Sequence, residues 1–481
     1  MGSEAGKLHV LFFPLMAHGH MIPILDIARL FVSHSVKTTI ATTPLNAPVF
    51  TRAIEKCRTD EISIRIFSFP SKEVGLPERV ENFEHVHGAE MTYKFFKAID
   101  MLEETLERLV EELRPNCLVA DMFFPWATDV AAKFNIPRLV FHGMSSFYSS
   151  VTENLMLHEP HKNASSDDEE FLVPNLPDEI KLTRNQVHEF VLLGADTELF
   201  RFVKFAIESE RRSYGIITNN FYELEPAYVD YYRKVSGRRT WQIGPVSLCN
   251  RSIEDKVQRG KKASIDEYDC MKWLDSKELN SVIYICFGSL ARLSASQLRE
   301  IAIALEASEQ QFIWVVRGCS DQESNDQEWF PRDFERRIEG KGLIIRGWAP
   351  QVLILEHEST GAFVTHCGWN STLEGISAGL PMVTWPLLAE QFYNEIFVTR
   401  ILKTGIGVGA KQRREVAPAS AIVKQEAIEK AVRQIMVGEE AEEIRSRAKK
   451  LKEMARKAVE EGGSSYSDLS ALIQELSCYT A

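Results

Sequence analysis

Short apolar runs separated by longer helical stretches run through this 481-residue chain in two successive series, and that rhythm constrains the fold more than any other feature. In the first half, residues 10–13, 38–41, 62–67, 116–120, 136–141 and 215–218 read as strands, and residues 21–32 repeat apolar side chains at helical spacing. Strands that are apolar on both faces and separated by helices form parallel sheets covered on both sides. The rhythm breaks over 247–268, where Cys-Asn-Arg-Ser-Ile-Glu-Asp-Lys leads into a Lys-rich stretch with few apolar residues. It restarts with strands at 282–287, 312–316, 342–345, 361–365 and 381–384 and a helix at 296–306. The expected class is therefore α/β, with two sheets facing each other across a cleft. Open parallel sheets bind ligands beyond the carboxyl ends of their strands, so that cleft is the default site.

The expected organisation is an amino-terminal domain over 1–246, a linker over 247–268 and a second domain over 269–461. A helix within 462–481 follows, expected to pack back on the amino-terminal domain. Residues 439–461 are strongly charged with Ile444, Leu451, Ala455 and Ala458 at helical spacing, the pattern of a solvated helix with one apolar stripe. The formal charge of −12 carries no basic stripe, which argues against a nucleic-acid binder. No apolar run is long enough to span a bilayer. Eight scattered cysteines without a CxxC pair fit reduced core thiols, and a cytoplasmic location is expected.

The densest chemistry lies between Trp348 and Gln391. A strand at 361–365 runs through His366-Cys367-Gly368 into a helix opening near Asn370, and the unpaired amides and dipole of such an opening suit a phosphate. An ordinary capped helix would look the same, so the neighbours decide. Trp348, before Pro350, can stack on a planar base. Glu374 falls one turn past Asn370, where a carboxylate can take both hydroxyls of a ribose, and Glu390-Gln391 follow the next strand. Base, ribose, phosphate and sugar contacts on one stretch describe a sugar nucleotide.

That stretch resembles the signature box of plant UDP-glycosyltransferases: Trp348-Ala349-Pro350-Gln351, His366-Cys367-Gly368-Trp369-Asn370-Ser371, Glu374 and the closing Glu390-Gln391. Phe13-Pro14, Gly19-His20-Met21-Ile22-Pro23 and Phe287-Gly288-Ser289 resemble two further loops of that family. The resemblance covers essentially the whole chain and points to the subgroup acting on flavonoids and triterpenoids. It implies the GT-B fold of two facing Rossmann-like domains. It implies that Trp348 stacks on uracil, with Ala349 and Val352 on its polar edge, Gln351 near the ribose and Glu374 on the ribose hydroxyls. Ser289, His366, Gly368, Asn370 and Ser371 would hold the diphosphate, while Trp369, Glu390 and Gln391 would contact the sugar. A closing Gln favours UDP-glucose as donor substrate, and neither a cofactor nor a metal is expected.

Transfer to a hydroxyl needs a base, and a neutral imidazole is a suitable acceptor near pH 7. His20 is placed by the sequence in the turn leaving the first strand, with Asp121 at the end of another. A carboxylate on the far ring nitrogen would fix the tautomer, although Asp121 in isolation reads first as a helix cap. His18 is a rival base; the family's dyad matches His20 and Asp121. Inverting transfer of glucose to a small lipophilic acceptor follows, with C-glycosylation of a flavonoid ring or a non-catalytic ligand binder as alternatives. Met16, Phe124, Trp126, Phe147, Phe190 and Phe202 are the candidate acceptor-pocket residues, with Phe123 beside them, although aromatics at such spacing are often core. A monomer is expected. A nicotinamide oxidoreductase needs GxGxxG after the first strand, which is absent, and Gly405-Ile406-Gly407-Val408-Gly409 shows no strand–helix context.

Overall fold

In the computed structural model, residues 7–57, 61–194, 197–317, 330–413 and 422–479 are described, and the two runs of strands form two separate sheets. Numbered along the chain, the first series is β1 (His9–Phe13), β2 (Lys37–Thr42), β3 (Ile62–Ile66), β4 (Cys117–Asp121) and β5 (Arg138–His142). An antiparallel hairpin, β6 (Phe171–Val173) and β7 (Ile180–Leu182), intervenes before β8 (Gly215–Thr218) and β9 (Thr240–Gln242). The second series is β10 (Val282–Cys286), β11 (Gln311–Val316), β12 (Gly342–Arg346), β13 (Thr360–Thr365), β14 (Met382–Thr384) and β15 (Gly405–Gly407). The first sheet has the order β3-β2-β1-β4-β5-β8-β9 and the second β12-β11-β10-β13-β14-β15. Every neighbouring pair in both is parallel.

The pleat explains why the central strands read as unbroken apolar runs. Along β1, Val10 and Phe12 enter one core with Met21 and Leu25, while Leu11 and Phe13 enter the opposite one with Phe95 and Leu106. Each sheet reverses its winding once, between β1 and β4 in the first and between β10 and β13 in the second. Such switch points open a crevice at the carboxyl ends of the two strands.

Three features differ from the sequence reading. The first helix, α1 (His18–Ser33), begins before Met21, so His20 sits in its opening turn rather than in a loop. Gly19 and Pro23 hide that start, because both are poor helix formers. The connection 247–268 is not open spacer, since Ile253–Gln258 is helical within it. Gly405-Ile406-Gly407 is a strand, held as the second sheet's edge by pairing with β14.

The charged helix Ala441–Val459 buries Ala455 and Ala458 in a cluster with Trp369 and Tyr228. The last helix, Ser464–Ser477, places Leu469, Leu472 and Leu476 in the first sheet's core, and Asp468 accepts from Gln242 N at 2.8 Å on the edge strand β9. Cys117, Cys249, Cys270, Cys286, Cys367 and Cys478 carry free thiols; the Cys57 side chain and Cys319 lie outside the described residues. No described helix is long and apolar enough to cross a membrane.

Candidate active site

The two switch points contribute residues to one cleft of about 430 Å³. The loop after β1 runs into α1 and delivers His20; β4 ends on Asp121. Opposite them, β10 leads to Gly288-Ser289 and β13 to His366 and the helix Trp369–Ala378. The two halves meet directly. Pro23 has no N–H for the Gly19 carbonyl four residues back, which instead accepts from Asn370 Nδ2 at 2.6 Å. Asn219 Nδ2 donates to Asn370 Oδ1 at 3.1 Å, and the Trp369 indole N–H donates to the Asn219 carbonyl at 2.8 Å.

His20 Nδ1 lies 2.7 Å from Asp121 Oδ2. With Nδ1–H donating to that carboxylate, Nε2 is left as an acceptor for a substrate proton. Asp121 is fully buried, its other oxygen accepts from Phe123 N at 3.2 Å, and Arg138 holds its carbonyl at 3.0 Å. Burial alone would lower the His20 pKa. The Asp121 charge and hydrogen bond, with the Glu390 charge, outweigh it and leave the imidazole above its ordinary value. The rival, His18, is buried with Nδ1 3.2 Å from Glu84 and its ring centroid 5.6 Å from that of Trp348. Burial holds its pKa down despite Glu84.

On the facing wall, Trp348 follows Gly347 at the end of β12 and is fixed at both backbone groups. Its N–H donates to Ser264 Oγ at 2.9 Å and its carbonyl accepts from Ser264 N at 2.8 Å. Arg317 lies over its ring at 5.0 Å. Ala349 and Val352 are buried beside it. Gln351 Nε2 donates to Glu374 Oε2 at 2.8 Å and to Ser371 Oγ at 3.2 Å, so these three polar side chains form one chain along the cleft. Gly368 caps the helix Trp369–Ala378, whose opening turn carries Asn370 and Ser371. The His366 ring packs on Gly288, whose φ of +73° no other residue adopts readily and where a Cβ would fall 2.4 Å from His366 Nε2. Burial and the Arg317 charge push His366 down to about 4, so it stays a neutral imidazole. Its Nδ1 is buried without a hydrogen-bond partner among the described residues. Glu390 Oε1 accepts from Trp369 N at 3.2 Å and burial pushes its carboxyl up. Gln391, which also lines the cleft, has its Oε1 accepting from Leu387 N and Leu388 N, both at 2.9 Å. Cys367 is no nucleophile: burial drives its thiol pKa well upward and it points at the Thr365 carbonyl.

The family described as UDP-glucoronosyl and UDP-glucosyl transferase matches residues 239–439. Over 478 residues the sequence is 58% identical to scopoletin glucosyltransferase of Nicotiana tabacum, covering 99% of each protein. The UDP-glucose flavonoid 3-O-glucosyltransferase 7 of Fragaria ananassa is 54% identical over 477 residues, 98% of this chain and 96% of its own length. The chain belongs to the plant UDP-glycosyltransferase family. Its fold is GT-B: Glycyrrhiza uralensis UGT73P12, solved with glycyrrhetinic acid 3-O-monoglucuronide, superposes with a TM-score of 0.90 at 41% identity, covering 98% of this chain and 96% of that one.

In this UDP-glycosyltransferase the cleft's apolar end differs from the acceptor pocket expected from sequence. Phe123 lines it together with Phe83, Phe96, Met144 and Leu15. Met16, Phe124 and Trp126 instead belong to the first sheet's core, where Phe124 meets Phe13 edge-on at 4.8 Å. Phe147 and Phe190 are buried in another cluster, Phe147 between Tyr228 and Phe397. Phe202 stands behind the wall, stacked on Phe123 at 6.0 Å. In the turn after β4, Phe123 lines the cleft while Phe124 is buried in the core. After β5, Gly143 and Met144 reach the cleft, whereas Ser145 is buried and spends its hydroxyl capping the next helix. Asn219, Lys256, Arg259 and Arg317 also serve the site, and no sequence motif marks them.

Proposed function

We propose that the enzyme moves glucose from UDP-glucose to a hydroxyl of a small lipophilic aromatic acceptor with inversion, giving a β-glucoside. The observation that carries this is the presence of the His20–Asp121 pair and the Trp348–Gln351–Glu374 array on opposite walls of one cleft. The uracil stacks on Trp348, the ribose diol meets Glu374, and the diphosphate lies at the opening of the helix Trp369–Ala378 near Ser289 and His366. His20 Nε2 takes the acceptor's proton as its oxygen bonds to the anomeric carbon from the face opposite UDP. The carbon–oxygen bond to the diphosphate breaks in the same step and UDP leaves. Asp121 stabilises the imidazolium as it forms, and the helix dipole with the His366 and Ser289 donors meets the charge growing on UDP, so this route needs no metal. Phe83, Phe96 and Phe123 offer aromatic faces and no charge to the acceptor. The scopoletin and flavonoid relatives support a phenolic, and the glycyrrhetinic acid complex supports a triterpenoid as the next choice. The test is to incubate the enzyme with UDP-glucose and pooled phenolics and triterpenoids and to read products by mass and by the anomeric proton coupling. A hexose adduct with β coupling on a phenolic oxygen is expected; absence of any adduct, or an α linkage, refutes the reading.

A further inference from the structure

Arg259 lies in the connection between the two sheets, just past the helix Ile253–Gln258, and its side chain is only 9% exposed. Its guanidinium spans both halves. Nε donates to Asp26 Oδ2 at 2.8 Å, and Nη1 donates to Glu374 Oε1 at 2.5 Å. Both carboxylates are themselves buried, which is costly for an ionised group unless it is paired. Asp26 belongs to α1, the helix whose first turn carries His20. Glu374 is the carboxylate read here as the ribose ligand, and its second oxygen already accepts from Gln351. The next residue confirms how closely the connection is seated. Gly260 has φ +87°, and a Cβ there would lie 2.3 Å from Trp348 Cζ2, so the backbone rests against the edge of the indole. Lys261, one residue on, pairs with Glu84 at 2.5 Å.

A carboxylate oxygen offers two acceptor positions. Arg259 takes one on Oε1 and Gln351 one on Oε2, which leaves one on each oxygen for the two hydroxyls of a ribose. We propose that Arg259 is a positioning residue for the donor: it holds Glu374 turned toward the ribose diol, and it ties that carboxylate to the helix that carries His20. This rests on the reading of Glu374 as the ribose ligand. A guanidinium suits the task because its rigid fork reaches two carboxylates at once, which an ammonium on a flexible stem does less well.

The experiment compares UDP-glucose with its analogue lacking the ribose 2′-hydroxyl, using the full-length enzyme and Arg259→Met. Loss of a charge-assisted hydrogen bond should raise the UDP-glucose KM by about 10- to 50-fold with kcat within about 3-fold. Wild type should prefer the ribose donor by about 10-fold in kcat/KM, and R259M should shrink that preference below about 3-fold. R259K should recover part of it. Should R259M not fold, Asp26→Asn releases the other end of the guanidinium and is expected to reduce the same preference. A variant that folds yet keeps the full preference overturns the proposal while leaving the Glu374 reading intact. A wild-type enzyme that shows no preference overturns the Glu374 reading itself, and the proposal with it.

Discussion

His20 is suited to be a base because of what holds its far nitrogen. An imidazole bonded to a buried carboxylate through Nδ1 has one tautomer and one orientation, and its pKa is raised by that partner. Two measurable consequences follow from the sign of the shift. The reactive form is the neutral ring, so kcat/KM should rise with pH through a value above the ordinary 6.5 of histidine. Replacing Asp121 by Asn removes the strongest raising influence, so the acid limb of the profile should move to lower pH while the rate itself falls. His20→Ala, which deletes the proposed base, should cost about 10²–10⁴ in kcat with little change in the UDP-glucose KM. A D121N profile whose acid limb stays where wild type has it, or near-normal turnover by H20A under saturating donor, would remove His20 from the mechanism.

At the level of elements, the terminal helix Ser464–Ser477 shows how a late segment completes an early core. Leu472 is fully buried among first-sheet residues, so Leu472→Ala leaves a cavity there and should lower stability by about 2–5 kcal/mol in denaturant titration. Gln474→Ala, exposed on the same helix, should change it by less than about 0.5 kcal/mol. Equal effects at the two positions would mean that the helix does not dock as described. The central strands of both sheets were legible because burial on both faces writes them as continuous apolar runs. The edges β3 and β12 were read as well, but β9 and β15 were not: Gly405-Ile406-Gly407 is three residues long and two of them are glycine, and it is a strand through its pairing with β14. The start of α1 was hidden for a related reason, since Gly19 and Pro23 oppose a helix locally and the contact from Asn370 to the Gly19 carbonyl uses the group that Pro23 leaves unpaired. The grouping of Trp348, Gln351, Ser371 and Glu374 along one side of the cleft was legible because these residues lie on one stretch of chain in a specific order. Arg259 was not, because a single arginine in a polar connection carries no pattern, and its two carboxylate partners lie far from it in sequence, on opposite halves. Aromatic spacing alone also could not separate Phe123, on the cleft, from Phe124, in the core.

In the whole molecule the site exists only as an assembly of the two sheets and their connection. Helix α1 supplies His20 and Asp26, β4 supplies Asp121, the connection supplies Arg259, and the second sheet supplies Trp348, His366 and Glu374. Asn370 bridges Gly19 and Asn219 across the same gap. A ligand held by such an assembly binds the folded chain and not the unfolded one, so UDP should raise the thermal midpoint by mass action. At 100 times its dissociation constant the stabilisation should be about 2.7 kcal/mol. The effect should divide according to wall. Trp348→Ala and Glu374→Ala remove the proposed nucleoside contacts and should lose most of the shift, whereas H20A removes the proposed base and should keep it in full. Thermal unfolding of the three variants with and without UDP decides the matter. If W348A retains the wild-type shift, or if H20A loses it, the nucleotide does not occupy the wall assigned to it, and the division of labour between the two sheets is wrong.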